Sequence, residues 1–259
     1  MSKNLTELRN LTEREYRALN LESFSSLKTL LKNPADFFYY KENPFKGNQA
    51  TNLGTAVHHC IQGAEHLVAV SEISRTTKTG REEYDKWLSD FQVKTNWEGV
   101  VLTKSQKENL DKCLENFKAN QQAVDLLTGC IFEQPLIMDI SKEISVKGKL
   151  DGLNLEDKRI VEIKTSSALT TAKDFSEGSK DMCYDMQAYM YREMVKASTG
   201  VICDHYFIVI NTTAPFACKV YKSSQEYLDS GKKKFEKVLD SYKKYVINKE
   251  SIPLAIEEI

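Results

Sequence analysis

The chain is short of several things, and each shortage excludes something. Its 259 residues include six cysteines, at 60, 113, 130, 183, 203 and 218, and none of them forms a C-x-x-C pair. That scatter argues against an iron–sulfur cluster or a structural zinc, whose cysteines come in close pairs. It reads as ordinary buried thiols in an intracellular, disulfide-free chain. No apolar run approaches the roughly 20 residues that span a bilayer. The opening "MSKNLTELRNLTEREY" is charged and lacks an apolar signal core, so neither a membrane nor export is expected, and a cytoplasmic location is. Net charge is also scarce: the formal value of −1 excludes a uniformly basic surface and leaves local basic grooves open. Internal repeats, low-complexity tracts and clear linkers are lacking too. What remains is a globular mixture, 41% hydrophobic and 28% charged, long enough for one substantial α/β domain.

The first 129 residues read as mainly helical. "SFSSLKTLLKN" starts on serine with leucines at helical spacing, and Pro34 separates it from "ADFFYYKEN". "NPFKGNQATN" is loop-like, and a third helix is expected from near Leu53 through "GTAVHHCIQGAEHLVAV". Two amphipathic stretches follow at 80–95 and 103–127, the second opening on a Thr103/Gln106 capping box. Residues 130–222 change character. "CIFEQPLIMDI", "KEISVKGKLDGLNL" and "KRIVEIKTS" are β-branched runs joined by turns, which predicts an antiparallel meander. A helix over 181–196, a buried strand in "VICDHYFIVIN", its neighbour "APFACKVYK" and a charged helix over 224–248 complete the chain; 223–259 forms a C-terminal helix and tail.

The meander carries the chemistry. Strand side chains alternate, so Glu162 and Lys164 face one way and Val161 and Ile163 the other. The turn near 154–158 would bring Asp151, read as the end of its strand, beside Glu162. Two adjacent carboxylates repel unless a cation compensates, and hard oxygen ligands favour Mg²⁺ or Mn²⁺. Lys164 beside them would orient or activate a water for phosphodiester hydrolysis. The bland alternative is a solvated cross-strand Glu/Lys pair, which is what most E-x-K triplets are. In "GTAVHHCIQ", Gly54 and His58 share a helical face, from which an imidazole would reach a sheet-bound metal, while His59 points about 100° away. A lone helical histidine is more often a packing or surface group. In "YDMQAYMYREM", Gln187 and Tyr191 share a face with Tyr184 one turn earlier, a row suited either to core packing or to holding a phosphate or a base.

Taken in order, "SFSSLKTLLKNPADFFYYKENP", "NLGTAVHHCI", "TKTGREEYDKW", "GCIFEQPL", "VKGKLDGL", "VEIKTSSAL", "YDMQAYMY" and "APFACKVY" resemble the RecE-type, exodeoxyribonuclease VIII-like branch of the PD-(D/E)XK nucleases, many of them encoded by phages and prophages. The resemblance runs from about residue 22 to about 245. It implies a restriction-endonuclease-like α/β core, with a central mixed or antiparallel sheet flanked by helices and an N-terminal helical layer. It also implies roles: His58 and Glu133 as metal ligands, Asp151 shared between metals, Glu162 the acidic ligand with the Ile163 carbonyl beside it, and Lys164 the catalytic lysine. Gln187 and Tyr191 match the Q-x-x-x-Y motif that arranges the site and the DNA strand. Ser25 or Ser26 would contribute to a terminal-phosphate site, with helix capping as the plainer reading. Lys147, Lys149, Lys173 and Lys180 flank the site and would meet phosphates, although each singly reads as a solvated lysine.

The implied activity is a Mg²⁺- or Mn²⁺-dependent exonuclease on double-stranded DNA ends, 5′-to-3′, leaving 3′ tails for recombination by strand annealing. A single-strand annealing protein would be its partner, a homo-oligomer such as a trimeric ring its assembly, and a bacterial host cytoplasm its place. A structure-specific or restriction-type endonuclease of the same fold, or a non-catalytic DNA-end binding protein, are the alternatives. Two features depart from the family pattern. Gly63 stands where members often carry a glutamate, and "INKESIPLAIEEI" lacks the tryptophan-rich finish of the larger members.

Overall fold

The structure, a computed structural model, describes residues 11–44, 49–167 and 171–252. Its centre is a six-stranded mixed sheet. Strands β4 (Ile131–Asp139), β5 (Ser145–Asn154) and β6 (Arg159–Ser166) form the antiparallel meander, with β5 between the other two. Strand β7 (Asp204–Asn211) joins β6 in parallel, and β8 (Cys218–Lys222) closes the far edge antiparallel to β7. A two-residue strand, β1 (Glu22–Ser23), pairs in parallel with Val146 and Lys147 of β5.

The alternation read from "RIVEIKTS" sorts the layers. Val161 and Ile163 point into an apolar cluster with Leu53, Ala56 and Val57 of helix α4 (Gln49–Ile61). Leu110 and Cys113 of α6 (Lys104–Ala119) complete that layer. On the other face, Leu150 and Ile160 pack with Met186, Met190 and Met194 of α9 (Tyr184–Thr199). Leu27 and Leu30 of α2 (Phe24–Lys32), and Phe235 and Val238 of α10 (Gln225–Tyr242), cover them. Short helices α1 (Glu13–Ala18) and α3 (Pro34–Glu42) flank α2, and among the described residues no helix is long and apolar enough to cross a membrane.

Several boundaries differ from expectation. The helix expected to run on from Leu53 begins at Gln49 and ends at Ile61; the chain turns at Gly63 and continues as β2 (Val68–Val70), which pairs in parallel with β3 (Val100–Leu102). Helix α5 (Lys78–Lys94) lies between those two strands in sequence. The stretch 103–127 is two helices, because the Asn120 side chain accepts the Ala123 amide and starts α7 (Gln121–Leu127) afresh. The Thr103/Gln106 capping box is present. Helix α8 (Ala172–Asp181) has no counterpart in the sequence reading. The last long helix stops at Tyr242 and runs into a π turn, Lys243–Ile247. Asp151 lies inside β5 rather than at its end.

Candidate active site

Strands β5 and β6 pair at only three positions, Gly152–Val161, Leu153–Ile160 and Asn154–Arg159, before they part. Asp151 and Glu162 are the next residues up each arm of that fork. Across β5, the ladder pairs Phe132 with Gly152 and Gln134 with Leu150, so Glu133 falls level with Asp151. Glu133 itself leaves the ladder, with its backbone at φ 52°. A left-handed conformation is costly for a glutamate and persists where surroundings impose it. Three acids thus lie on one row across three strands, and both helical layers reach the fork between two of them.

From the α4 side comes His58, whose Nδ1 stands 3.6 Å from Asp151 Oδ1. Gly54, one turn earlier, lets α4 sit this close: a Cβ there would stand 2.8 Å from Thr165 Oγ1. Gln62, four residues after His58, donates from Nε2 to Glu133 Oε1 at 2.9 Å and to the Asp151 carbonyl at 3.4 Å. His59 turns away toward the Glu98 carbonyl, 3.2 Å from its Nε2. From the α9 side, Gln187 Nε2 donates to Glu162 Oε1 at 2.6 Å. Tyr191 lies behind Gln187 and is buried; it fits because β5 has Gly148 beneath it, where a Cβ would stand 2.8 Å from the Tyr191 ring. Lys164 Nζ donates to Glu162 Oε1 at 2.9 Å and sits 4.5 Å from the centre of the Tyr184 ring.

The charges divide unequally. Burial would raise the Asp151 carboxyl, but His58, Lys164 and the Ile163 amide, which donates to Asp151 Oδ2 at 2.8 Å, together hold it below the usual carboxylate range. Glu162 goes the other way: burial and the neighbouring Asp151 charge push it up to about 7. Burial opposes a charged His58 and a charged Lys164, yet the adjacent carboxylates raise both above their ordinary values. Asp151 is therefore held toward its ionised form, while burial and that charge make its neighbour Glu162 take up a proton more readily than a free glutamate.

Among the described residues, no three His, Cys, Asp or Glu side chains are grouped so as to hold a metal ion as they stand. Glu162 instead offers one oxygen to both Lys164 and Gln187. Its other oxygen, Oε2, is buried without a hydrogen-bond partner among the described residues, as is Gln187 Oε1. Such orphaned atoms are costly unless something occupies the gap. Two buried carboxylates, one orphaned oxygen and an imidazole suit a hard divalent cation.

Other expected site residues lie elsewhere. Lys147 is buried, and its ammonium donates to the carbonyls of Tyr16, Arg17 and Leu19 at 3.0, 3.2 and 2.8 Å, closing the end of α1. That geometry corrects its expected phosphate role, because its donors are already engaged. Lys149 bridges Glu133 and Glu13, the latter at 2.6 Å. Lys173 is exposed, 3.9 Å from Glu177. Ser26 Oγ accepts the Ser23 amide at 2.8 Å, a capping contact, while Ser25 is exposed. Gln62 and Glu13 were missed. Gln62 had a signal, the spacing of four from His58; Glu13 had none, lying 136 residues from its partner.

Residues 23–259 match the sequence family described as a PDDEXK-like domain of unknown function, DUF3799. The chain belongs to this family. The PDDEXK-like fold is seen again in a solved structure from Eubacterium rectale, a protein provisionally named an exonuclease. It superposes with a TM-score of 0.68 at 15% identity, covering 94% of this chain and 89% of that one. A phage-related exonuclease from Haemophilus somnus covers 54% of this chain and 74% of its own at 14% identity, with a TM-score of 0.31, too low to speak for a shared fold. No curated protein matches the chain. Family and superposition agree on a PDDEXK-like fold for this chain.

Proposed function

We propose that this PDDEXK-like chain is a divalent-cation-dependent exonuclease acting on the ends of double-stranded DNA, of the RecE-like kind, digesting 5′-to-3′ and leaving 3′ tails for strand annealing. The observation that carries it is the convergence of Asp151, Glu162, Lys164, His58 and Gln187 at a strand fork. That fork adjoins an open cleft of about 2060 Å³, lined by His58 and Glu133, a volume larger than small-molecule sites occupy.

Asp151, Glu162, His58 and the Ile163 carbonyl would hold Mg²⁺ or Mn²⁺, with Glu133 near a second ion or its water. When bound, the ion polarises the scissile phosphate and acidifies a water. The protein's own groups do the rest. The Ile163 amide fixes Asp151 Oδ2, so that Oδ1 faces His58. Gln187 fixes Glu162 Oε1 and leaves Oε2 free to act. Lys164, held by Glu162 and the Tyr184 ring, presents a cation that positions the attacking water and offsets charge developing on phosphate. Tyr191 supports Gln187 from behind.

On the same resemblance, the working form is a homo-oligomer, a trimeric ring that encircles DNA, with a single-strand annealing protein as partner in a bacterial host cytoplasm. End-labelled linear duplex with a 5′-phosphate, the same duplex with a 5′-hydroxyl, and closed circular duplex, each incubated with Mg²⁺, test the reading. Release of 5′ label with the circle spared supports it. A nicked or linearised circle would make the chain an endonuclease of the same fold, and release from 3′ ends first would overturn the polarity.

A further inference from the structure

The outer wall of the cleft is built unlike its floor. Helix α5 has 17 residues, all described, and none is buried. It still carries three aromatic residues at helical spacing, Tyr84, Trp87 and Phe91. Trp87 stacks on Phe91 with centroids 5.8 Å apart and planes 5° from parallel, and lies 5.7 Å from Tyr84. The Arg75 guanidinium sits 4.6 Å from the Tyr84 ring centre. Just past the helix, Asn96 and Trp97 both adopt left-handed backbone, φ 51° and 66°. The Gln92 carbonyl accepts the Trp97 amide at 2.7 Å, which fixes the turn. The result is an indole that is 72% exposed, more than any other large hydrophobic side chain among the described residues. Burial of an indole is favourable and a left-handed tryptophan is strained, so packing alone accounts for neither. Trp97, Tyr84, Arg75 and Arg14 line the same cleft as His58 and Glu133.

We infer that this wall is a base-stacking platform for an unpaired nucleic-acid strand, with Trp97 receiving a base and Arg75 and Arg14 meeting phosphates. The inference rests on the nuclease reading and adds the form of substrate the cleft accepts. Bases within a duplex have both faces covered by neighbours. An aromatic platform gains contact only where a face is free, at a frayed end or on a single strand. Stacking is indifferent to sequence, so the platform would favour strandedness rather than base identity.

The test uses the full chain carrying Trp87→Phe, which leaves Trp97 as its one indole, since the sequence has two tryptophans. It is titrated, without divalent cation, with a labelled oligothymidylate and with a blunt duplex. Indole emission and label anisotropy are read together. The expected result is quenching of Trp97 that saturates with the anisotropy on the single strand. In the otherwise native chain, Trp97→Ala should bind the single strand roughly five- to a hundred-fold more weakly, Trp97→Phe should recover most of the loss, and the blunt duplex should be far less affected. Four results would overturn the inference: silent emission while anisotropy rises, unchanged binding by Trp97→Ala, no binding of the single strand, or an equal loss on the duplex. Cleavage with Mg²⁺ is scored separately. Quenching without cleavage would sink the nuclease reading and spare the platform; cleavage with a silent Trp97 would do the reverse.

Discussion

Helices α5 and α9 have nearly the same length, 17 and 16 residues, and both bring aromatic side chains toward the cleft or the fork beside it. In α9 eight residues are buried, among them Gln187 and Tyr191; in α5 none is. The difference matches what each helix is asked to do. A group that must keep a carboxylate oriented, as Gln187 keeps Glu162, needs a support that cannot shift, and a methionine-rich core supplies it. A surface that meets a polymer of varied sequence needs exposed area and tolerance. On the proposed function, chemistry would be mounted on the packed helix and recognition on the unpacked one.

Substitutions that treat the helices alike should therefore give unlike results. Truncating fully buried Met190 to Ala should cost about 2–5 kcal/mol by urea unfolding, whereas Leu88→Ala on α5 should cost about 1 kcal/mol or less. Equal losses would break the comparison. Next in size, Gln187→Ala should lower the cleavage rate about 10- to 100-fold while leaving DNA binding close to that of the native chain. A rate that does not change would mean that the 2.6 Å contact to Glu162 positions nothing.

The smallest effect concerns the proton on Glu162. Its folded pKa, about 7, lies above the unfolded value of 4.5, so its contribution to stability is complete below about pH 4.5 and is lost as pH rises through about 7. Glu162→Gln has no proton to lose. Without divalent cation, it should gain on the native chain by on the order of 1–3 kcal/mol between pH 5 and pH 8. Parallel stability curves would show that the acid is not raised.

Much of this was legible in the sequence because it is local. The alternation of "VEIKT" sorted Glu162 and Lys164 from Val161 and Ile163, and the spacing of Gly54 and His58 put both on one face. The meander, too, was legible from its β-branched runs and turns. What was not legible depends on partners distant in the chain. Lys147 looked like a solvated lysine until the end of α1 was placed over it, and Lys149 until Glu13 was. The left-handed backbone of Glu133, Asn96 and Trp97 has no glycine to announce it. Helix α8 was missed although it opens on a Thr171/Asp174 capping box, because Ala172 and Phe175 are the only apolar residues in "AKDFSEGSKD".

The central claim is that the fork between β5 and β6 hydrolyses phosphodiesters, with Lys164 as the cation beside its acids. Its most direct test is the rate at which Lys164→Ala, shown folded by circular dichroism, degrades end-labelled linear duplex in Mg²⁺, measured against the native chain. The account predicts a rate lower by about a thousand-fold or more. Degradation at the native rate would contradict it.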